Sequence, residues 1–167
     1  HDSQDICFVP EGDYTAFLQR YTGKTYPQGD YLNQAGQVVG RHQGAVRYTI
    51  GQRKGLNLAL GEPVYVCRKD MAANTVTVGP NSALFSGGLR AQDWNWFPFP
   101  ELTEPMDVTV KIRHSQVEQP ARVFPEAEGR ARVEFEAPMR AVTPGQAVVL
   151  YRGDLVLGGG TITEALP

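Results

Sequence analysis

Residues 106–112, Met106-Asp107-Val108-Thr109-Val110-Lys111-Ile112, carry branched apolar side chains at alternate positions. A β-strand points successive side chains to opposite faces, so Val108, Val110 and Ile112 share one face. The alternation returns at Val123 and again at Val133 and Phe135. Working outward, residues 89–94, 121–124, 131–135, 147–151 and 155–163 read as further strands. They recur every roughly 8–15 residues with Gly and Pro between them, and helix periodicity is almost absent. The expectation for residues 81–167 is an antiparallel β-barrel domain.

Upstream, residues 10–80 read as a small central α/β domain. Tyr14, Phe17, Leu18 and Tyr21 lie at i, i+3, i+4 and i+7, one face of a helix, with Asp13 as N-cap and Gly23 as stop. Residues 29–40 read as a hairpin turning near Gln34 to Gly36, and residues 42–50 as a short helix at most. Residues 63–68 and 75–78 read as two alternating strands, with Cys67 an ordinary packed side chain. The fold class is thus α+β and mostly β. Residues 1–9 read as the tail of a larger preceding element.

The composition is that of a soluble globular protein: 20% charged and 41% hydrophobic residues. Eighteen Gly and twelve Pro favour short elements and tight turns. A net charge of −2 excludes a wholly basic nucleic-acid binder, so any RNA contact must come from local clustering. Cys7 and Cys67, with three scattered His, give no metal-ligand spacing and no disulfide framework. That fits a reducing, cytoplasmic setting. The sequence contains no long apolar run and no secretory signal, so no membrane association is expected.

One segment is densely basic. Residues 41–55 hold Arg41, Arg47, Arg53 and Lys54 with no acid among them, and Gly44, Gly51 and Gly55 permit close approach of backbone to phosphate. His42 and Tyr48 offer rings for stacking on a base. Lys111-Ile112-Arg113-His114-Ser115-Gln116 ends a strand, with Lys111 and Arg113 expected on one face. Residues 138–146 form a turn-rich loop entering another strand. The aromatic run at residues 93–100 reads as a hydrophobic plug in preference to an RNA-stacking platform. Gly158-Gly159-Gly160 reads as a bulge or tight barrel corner. Ser86-Gly87-Gly88-Leu89-Arg90 reads as a turn.

Asp2-Ser3-Gln4-Asp5-Ile6-Cys7-Phe8 sets a thiol between two apolar residues. Taken alone, Cys7 fits a small buried hydrophobe better than a nucleophile, because only acids stand beside it and these disfavour thiolate.

Five stretches in order, DSQDICFVPEGDY, GRHQGAVRYTIGQRKGL, PVYVCRKDMAANTVTVGP, KIRHSQ and PMRAVTPGQAVVLYRGDLVLGGGTI, resemble the C-terminal half of the bacterial tRNA-specific 2-thiouridylase family. The resemblance covers nearly the whole chain. It implies a fragment of an enzyme that places sulfur on C2 of the wobble uridine of tRNA. Cys7 then matches the catalytic cysteine that carries a persulfide and closes a transient disulfide with a first cysteine elsewhere. Arg113, His114 and Gln146 match barrel positions that touch tRNA, with His114 standing where an aromatic Tyr is common. The basic segment is expected to meet tRNA, the catalytic domain, or both. ATP with Mg belongs, on this resemblance, to an N-terminal pyrophosphatase domain whose SGGxDS loop this chain lacks, since Arg90 stands in place of the Asp. The fragment itself is expected to hold no cofactor and no metal, to be inactive alone, and to be monomeric. Its expected partners are tRNA and a sulfur-donor or relay protein. The competing expectation is a stand-alone β-barrel RNA-binding or adaptor module in which Cys7 is structural.

Overall fold

The computed structural model describes residues 14–167, and Cys7 lies outside the described residues. The chain divides into two compact units between Leu84 and Phe85. The first holds the helix α1 (Tyr14–Thr22) and strands β1 (Gly29–Leu32), β2 (Val38–His42), β3 (Tyr65–Asp70) and β4 (Thr75–Gly79). Gly23 ends the helix as expected. It adopts φ 68 and its N–H donates to Gln19 O at 2.9 Å.

The sheet order is β2-β1-β4-β3. The β1–β2 hairpin turns through Asn33, whose side-chain Oδ1 accepts from the N–H of both Ala35 (3.0 Å) and Gln37 (2.9 Å). β3 and β4 form the second hairpin. The two hairpins join by parallel pairing of β1 with β4, Asp30 to Thr75 through Leu32 to Thr77, so the central domain is a mixed sheet with one helix. Its core is Tyr31, Ala45, Tyr48, Leu56, Val66, Val76 and Val78.

The second unit is a closed barrel of β5 (Phe85–Trp96), β6 (Met106–Lys111), β7 (Gln119–Pro125), β8 (Ala131–Arg140), β9 (Ala147–Arg152) and β10 (Leu155–Leu166). Their order around the barrel is β10-β5-β8-β7-β6-β9, and every pairing is antiparallel. All six strands read from the sequence are present. The alternating residues point inward: Val110, Val123 and Val133 are fully buried. Full burial of such a side chain contributes about 1.5–3 kcal/mol.

Two glycine stretches explain how the barrel closes. A Cβ on Gly158 would lie 2.4 Å from Asn95 O, and one on Gly160 would lie 2.8 Å from the Trp94 ring. The register shifts on both sides of this run, so the expected bulge is found. Trp94 and Trp96 stack at 4.6 Å with planes 7° apart and pack against the core, as the plug reading expected. The turn expected at Ser86-Gly87-Gly88-Leu89-Arg90 is instead part of β5. Neighbouring backbone needs the space there: a Cβ on Gly88 would meet Val133 O at 2.5 Å. Among the described residues no helix is long and apolar enough to cross a membrane.

Candidate nucleic-acid interface

The barrel end where β6 stops holds the first group of candidate residues. β6 ends at Lys111, and residues 113–116 turn back toward β7. The turn is closed by Gln116 N–H donating to Arg113 O at 3.2 Å. Arg113 therefore sits in a turn, and the face it was expected to share with Lys111 does not extend that far. β6 pairs with β9 as Thr109 with Tyr151, Val110 with Leu150 and Lys111 with Val149. Because the pair is antiparallel, the loop after β6, which carries His114, and the loop before β9, which carries Gln146, lie at the same barrel end. Both side chains are exposed.

Arg113 ties the two loops together. Its Nη2 donates to Ala141 O at 3.0 Å, and Thr143 Oγ1 donates to the same oxygen at 2.9 Å. Ala141 is buried and adopts φ 57, a left-handed conformation that costs a side-chain-bearing residue about 1–2 kcal/mol. The tilt aims its carbonyl at both donors. Partial burial, and then the positive charge of Arg140, lower the Arg113 pKa, yet a guanidinium stays charged at any ordinary pH. The Gln146 main chain is equally fixed: its N–H donates to Thr143 O at 3.2 Å and its carbonyl accepts from Ile162 N–H at 2.9 Å. The structure thus brings Arg113, His114 and Gln146 to one barrel end from two loops.

The basic segment of the first unit resolves into buried and exposed parts. His42 and Tyr48 are buried, at 1% and 6% exposure, so the stacking on RNA bases expected of them is overturned. They pack instead on Tyr31, with the three rings edge-to-face at 5.3–5.6 Å. His42 Nδ1 accepts from Gly44 N–H at 3.0 Å, and its Nε2 lies 3.0 Å from Asn74 O. That pairing fixes the neutral tautomer with the proton on Nε2. Burial is the main cause of its lowered pKa, opposed by the Asn74 carbonyl and Asp30 and assisted by Arg41. Asn74 completes the knot: Oδ1 accepts from Ala45 N–H at 3.0 Å, and Nδ2 donates to Pro27 O and Gln28 O at 2.9 and 3.2 Å. Sequence reading missed this network; Asn in a β3–β4 turn was its one visible signal.

Arg41, Arg47, Arg53 and Lys54 are exposed. Arg41 lies 3.3 Å from Asp30 across the β1–β2 pair. Cys67 is half-buried, its Sγ donates to Tyr65 O at 3.3 Å, and burial raises its pKa, which disfavours the reactive thiolate. Ser86-Gly87-Gly88 is closely packed within β5, with Pro167 O 2.6 Å from where a Gly87 Cβ would be and β8 closing on Gly88.

Comparison with known proteins agrees with this two-part layout. Residues 15–80 match the tRNA methyl transferase PRC-barrel domain, and residues 86–162 match the aminomethyltransferase beta-barrel domain. The tRNA-specific 2-thiouridylase MnmA of Symbiobacterium thermophilum is 49% identical over 165 residues, covering 99% of this chain and 42% of the relative. Those of Heliobacterium modesticaldum and Acetivibrio thermocellus are 48% and 47% identical, over 99% and 96% of this chain and 43% and 45% of theirs. The chain belongs to the tRNA-specific 2-thiouridylase family. It spans less than half the length of these 2-thiouridylases. The two family domains fall on the two compact units, so the barrel-end loops and the basic segment belong to different 2-thiouridylase domains.

Proposed function

We propose that this chain is the tRNA-contacting and sulfur-carrying part of a tRNA-specific 2-thiouridylase that thiolates C2 of the wobble uridine. The observation that carries the reading is the convergence of Arg113, His114 and Gln146 at one barrel end, with Arg113 anchored on Ala141 O. An anchored guanidinium contacts a phosphate without first losing side-chain freedom, and exposed His and Gln groups can pair with unstacked base edges. Arg41, Arg47, Arg53 and Lys54 supply further phosphate contacts. The 2-thiouridylase names of relatives matching nearly the whole chain support the substrate class.

Cys7 is assigned the persulfide, loaded by a sulfur-donor or relay protein. In a uridine activated at O2 through ATP, a step assigned to residues outside this chain, the terminal sulfur bonds to C2 and the C2–O bond breaks. A second cysteine, also outside this chain, then attacks Cys7 Sγ. The sulfur–sulfur bond breaks, its electron pair stays on the new thiocarbonyl, and the two cysteines are left as a disulfide. That disulfide must be reduced by an external thiol before another turnover. The chain alone therefore transfers no sulfur, and it acts in the cytoplasm as a monomer.

The test is tRNA thiolation by a longer protein that includes this sequence. Cys7→Ser should abolish 2-thiouridine while leaving activation of tRNA intact, since the thiol acts after activation. Arg113→Ala and Gln146→Ala should raise the tRNA KM with a smaller change in kcat. Full thiolation by Cys7→Ser would remove the sulfur-carrier role. Unchanged KM in both barrel variants would move the tRNA away from this barrel end.

A further inference from the structure

We infer that residues 49–55 form a preformed phosphate-binding turn in which Gln52 is the positioning residue for Arg53 and Lys54. The inference rests on the tRNA reading and narrows it to two of the four cations in the basic segment.

Gln52 organises the turn from its centre. Its Oε1 accepts from Thr49 N–H at 3.0 Å and its Nε2 donates to Lys54 O at 3.0 Å, so one side chain holds both ends. Its own N–H donates to Thr49 O at 3.0 Å. The turn is then bolted to the core. Gly51 N–H donates to Val66 O at 2.8 Å, and Val66 N–H donates to Gln52 O at 2.9 Å. Val66 is fully buried in β3. Gly51 at φ 89 and Gly55 at φ 75 adopt left-handed conformations that favour glycine, which lets the chain double back on both sides of the cations.

Arg53 and Lys54 leave this frame in succession and are exposed. Among the described residues neither makes an ion pair, although Glu62 lines the same shallow groove as Arg53. Arg41 differs, because it already has an acidic partner in Asp30 at 3.3 Å. The space over Gly55 is open: the nearest atom to where a Cβ would stand is Gln52 Nε2, at 3.8 Å. Two adjacent unpaired cations on a braced backbone, beside open space, suit consecutive phosphates of an RNA strand. Little ordering remains to be done on binding.

The test is tRNA affinity of the full chain, by fluorescence anisotropy, across a potassium chloride series. Arg53→Ala and Lys54→Ala should each lower the slope of log affinity against log salt by about 0.7–1. Arg53→Lys should keep the slope, since a phosphate contact needs the charge. Gln52→Ala should lower affinity and slope while the melting temperature stays near that of the parent. In an Arg53→Ala/Lys54→Ala background, Gln52→Ala should change nothing further, which a general folding defect would not reproduce. No tRNA binding by the parent chain would overturn the RNA reading and this inference together. Binding with a slope unmoved by Arg53→Ala and Lys54→Ala would overturn the inference alone. A Gln52→Ala loss that persists in the double background would reduce Gln52 to a structural role.

Discussion

The barrel holds well over twice the β-structure of the four-stranded unit, and the two are held together differently. The barrel core is aliphatic, with Leu89, Val110, Val123, Val133, Val148 and Leu150 fully buried, and neighbouring backbone leaves no room for a side chain at Gly88 or Gly158. The four-stranded unit is knotted around polar groups. His42 is the single buried polar residue among those described, and it shares its pocket with Asn74, Tyr31 and Tyr48. The barrel gains a rigid frame whose loops are free to vary at the mouth. The first unit, with fewer buried apolar side chains, uses hydrogen bonds to hold the segment that carries Arg53 and Lys54.

The comparison is broken most sharply at Asn74. Asn74→Ala strips partners from Ala45 N–H, Pro27 O and Gln28 O and puts a methyl side chain at φ 54. Leaving the buried Ala45 N–H unsatisfied costs about 1–3 kcal/mol and a left-handed alanine about 1–2 kcal/mol more, so a loss of ~2–4 kcal/mol is expected in the first unit only. Both tryptophans lie in the barrel, so tryptophan fluorescence should still melt at the parent temperature while the tyrosine signal melts early. In the barrel the matching change is Gly88→Ala, which drives a methyl group into Val133 O and should cost roughly 1–3 kcal/mol by overpacking. Here the fluorescence midpoint should fall instead.

Acid should separate the units next. The His42 pKa is lowered in the fold, so between that pKa and the ordinary value of about 6.5 the unfolded chain binds a proton that the native chain does not. Stability of the first unit is therefore full above about pH 6.5 and falls as the pH drops below it. Asp30, Arg41, Tyr31 and Tyr48 surround the ring, and of these only Asp30 favours the charged form. The barrel buries no titratable side chain among the described residues and should show no such step, which chemical denaturation at several pH values would reveal. Smallest of all, Arg41→Ala removes an exposed ion pair and should change stability by less than about 1 kcal/mol.

The same contrast governs what could be read from the sequence. The barrel strands were legible because each buries one face, and burial writes alternation into residues such as Val108, Val110 and Ile112. The hairpins of the first unit were legible from their turns. The parallel pairing of β1 with β4 was not, since four residues of β1 carry no mark of a partner some forty positions away. His42 looked like an RNA-facing ring because its neighbours are basic, whereas its burial depends on Tyr31 from β1 and Asn74 from the β3–β4 turn. Ser86-Gly87-Gly88 looked like a turn because glycine suits turns, and the demand it meets is close packing of β5 against β8. Of the barrel-end group, Arg113 and His114 stood out as a polar strand end. Gln146 came from family resemblance alone, because no local pattern marks a loop residue that reaches its place through β-register.

The central claim is that the barrel end meets tRNA, and it is tested most directly by the affinity of this chain for an anticodon stem-loop with a wobble uridine. The parent, Arg113→Ala and Gln146→Ala should be titrated across a salt series. Arg113→Ala should lower the salt slope by about 0.7–1, while Gln146→Ala should weaken binding at an unchanged slope, since it removes a neutral contact. Parent-like affinity and slope in both variants would contradict the account.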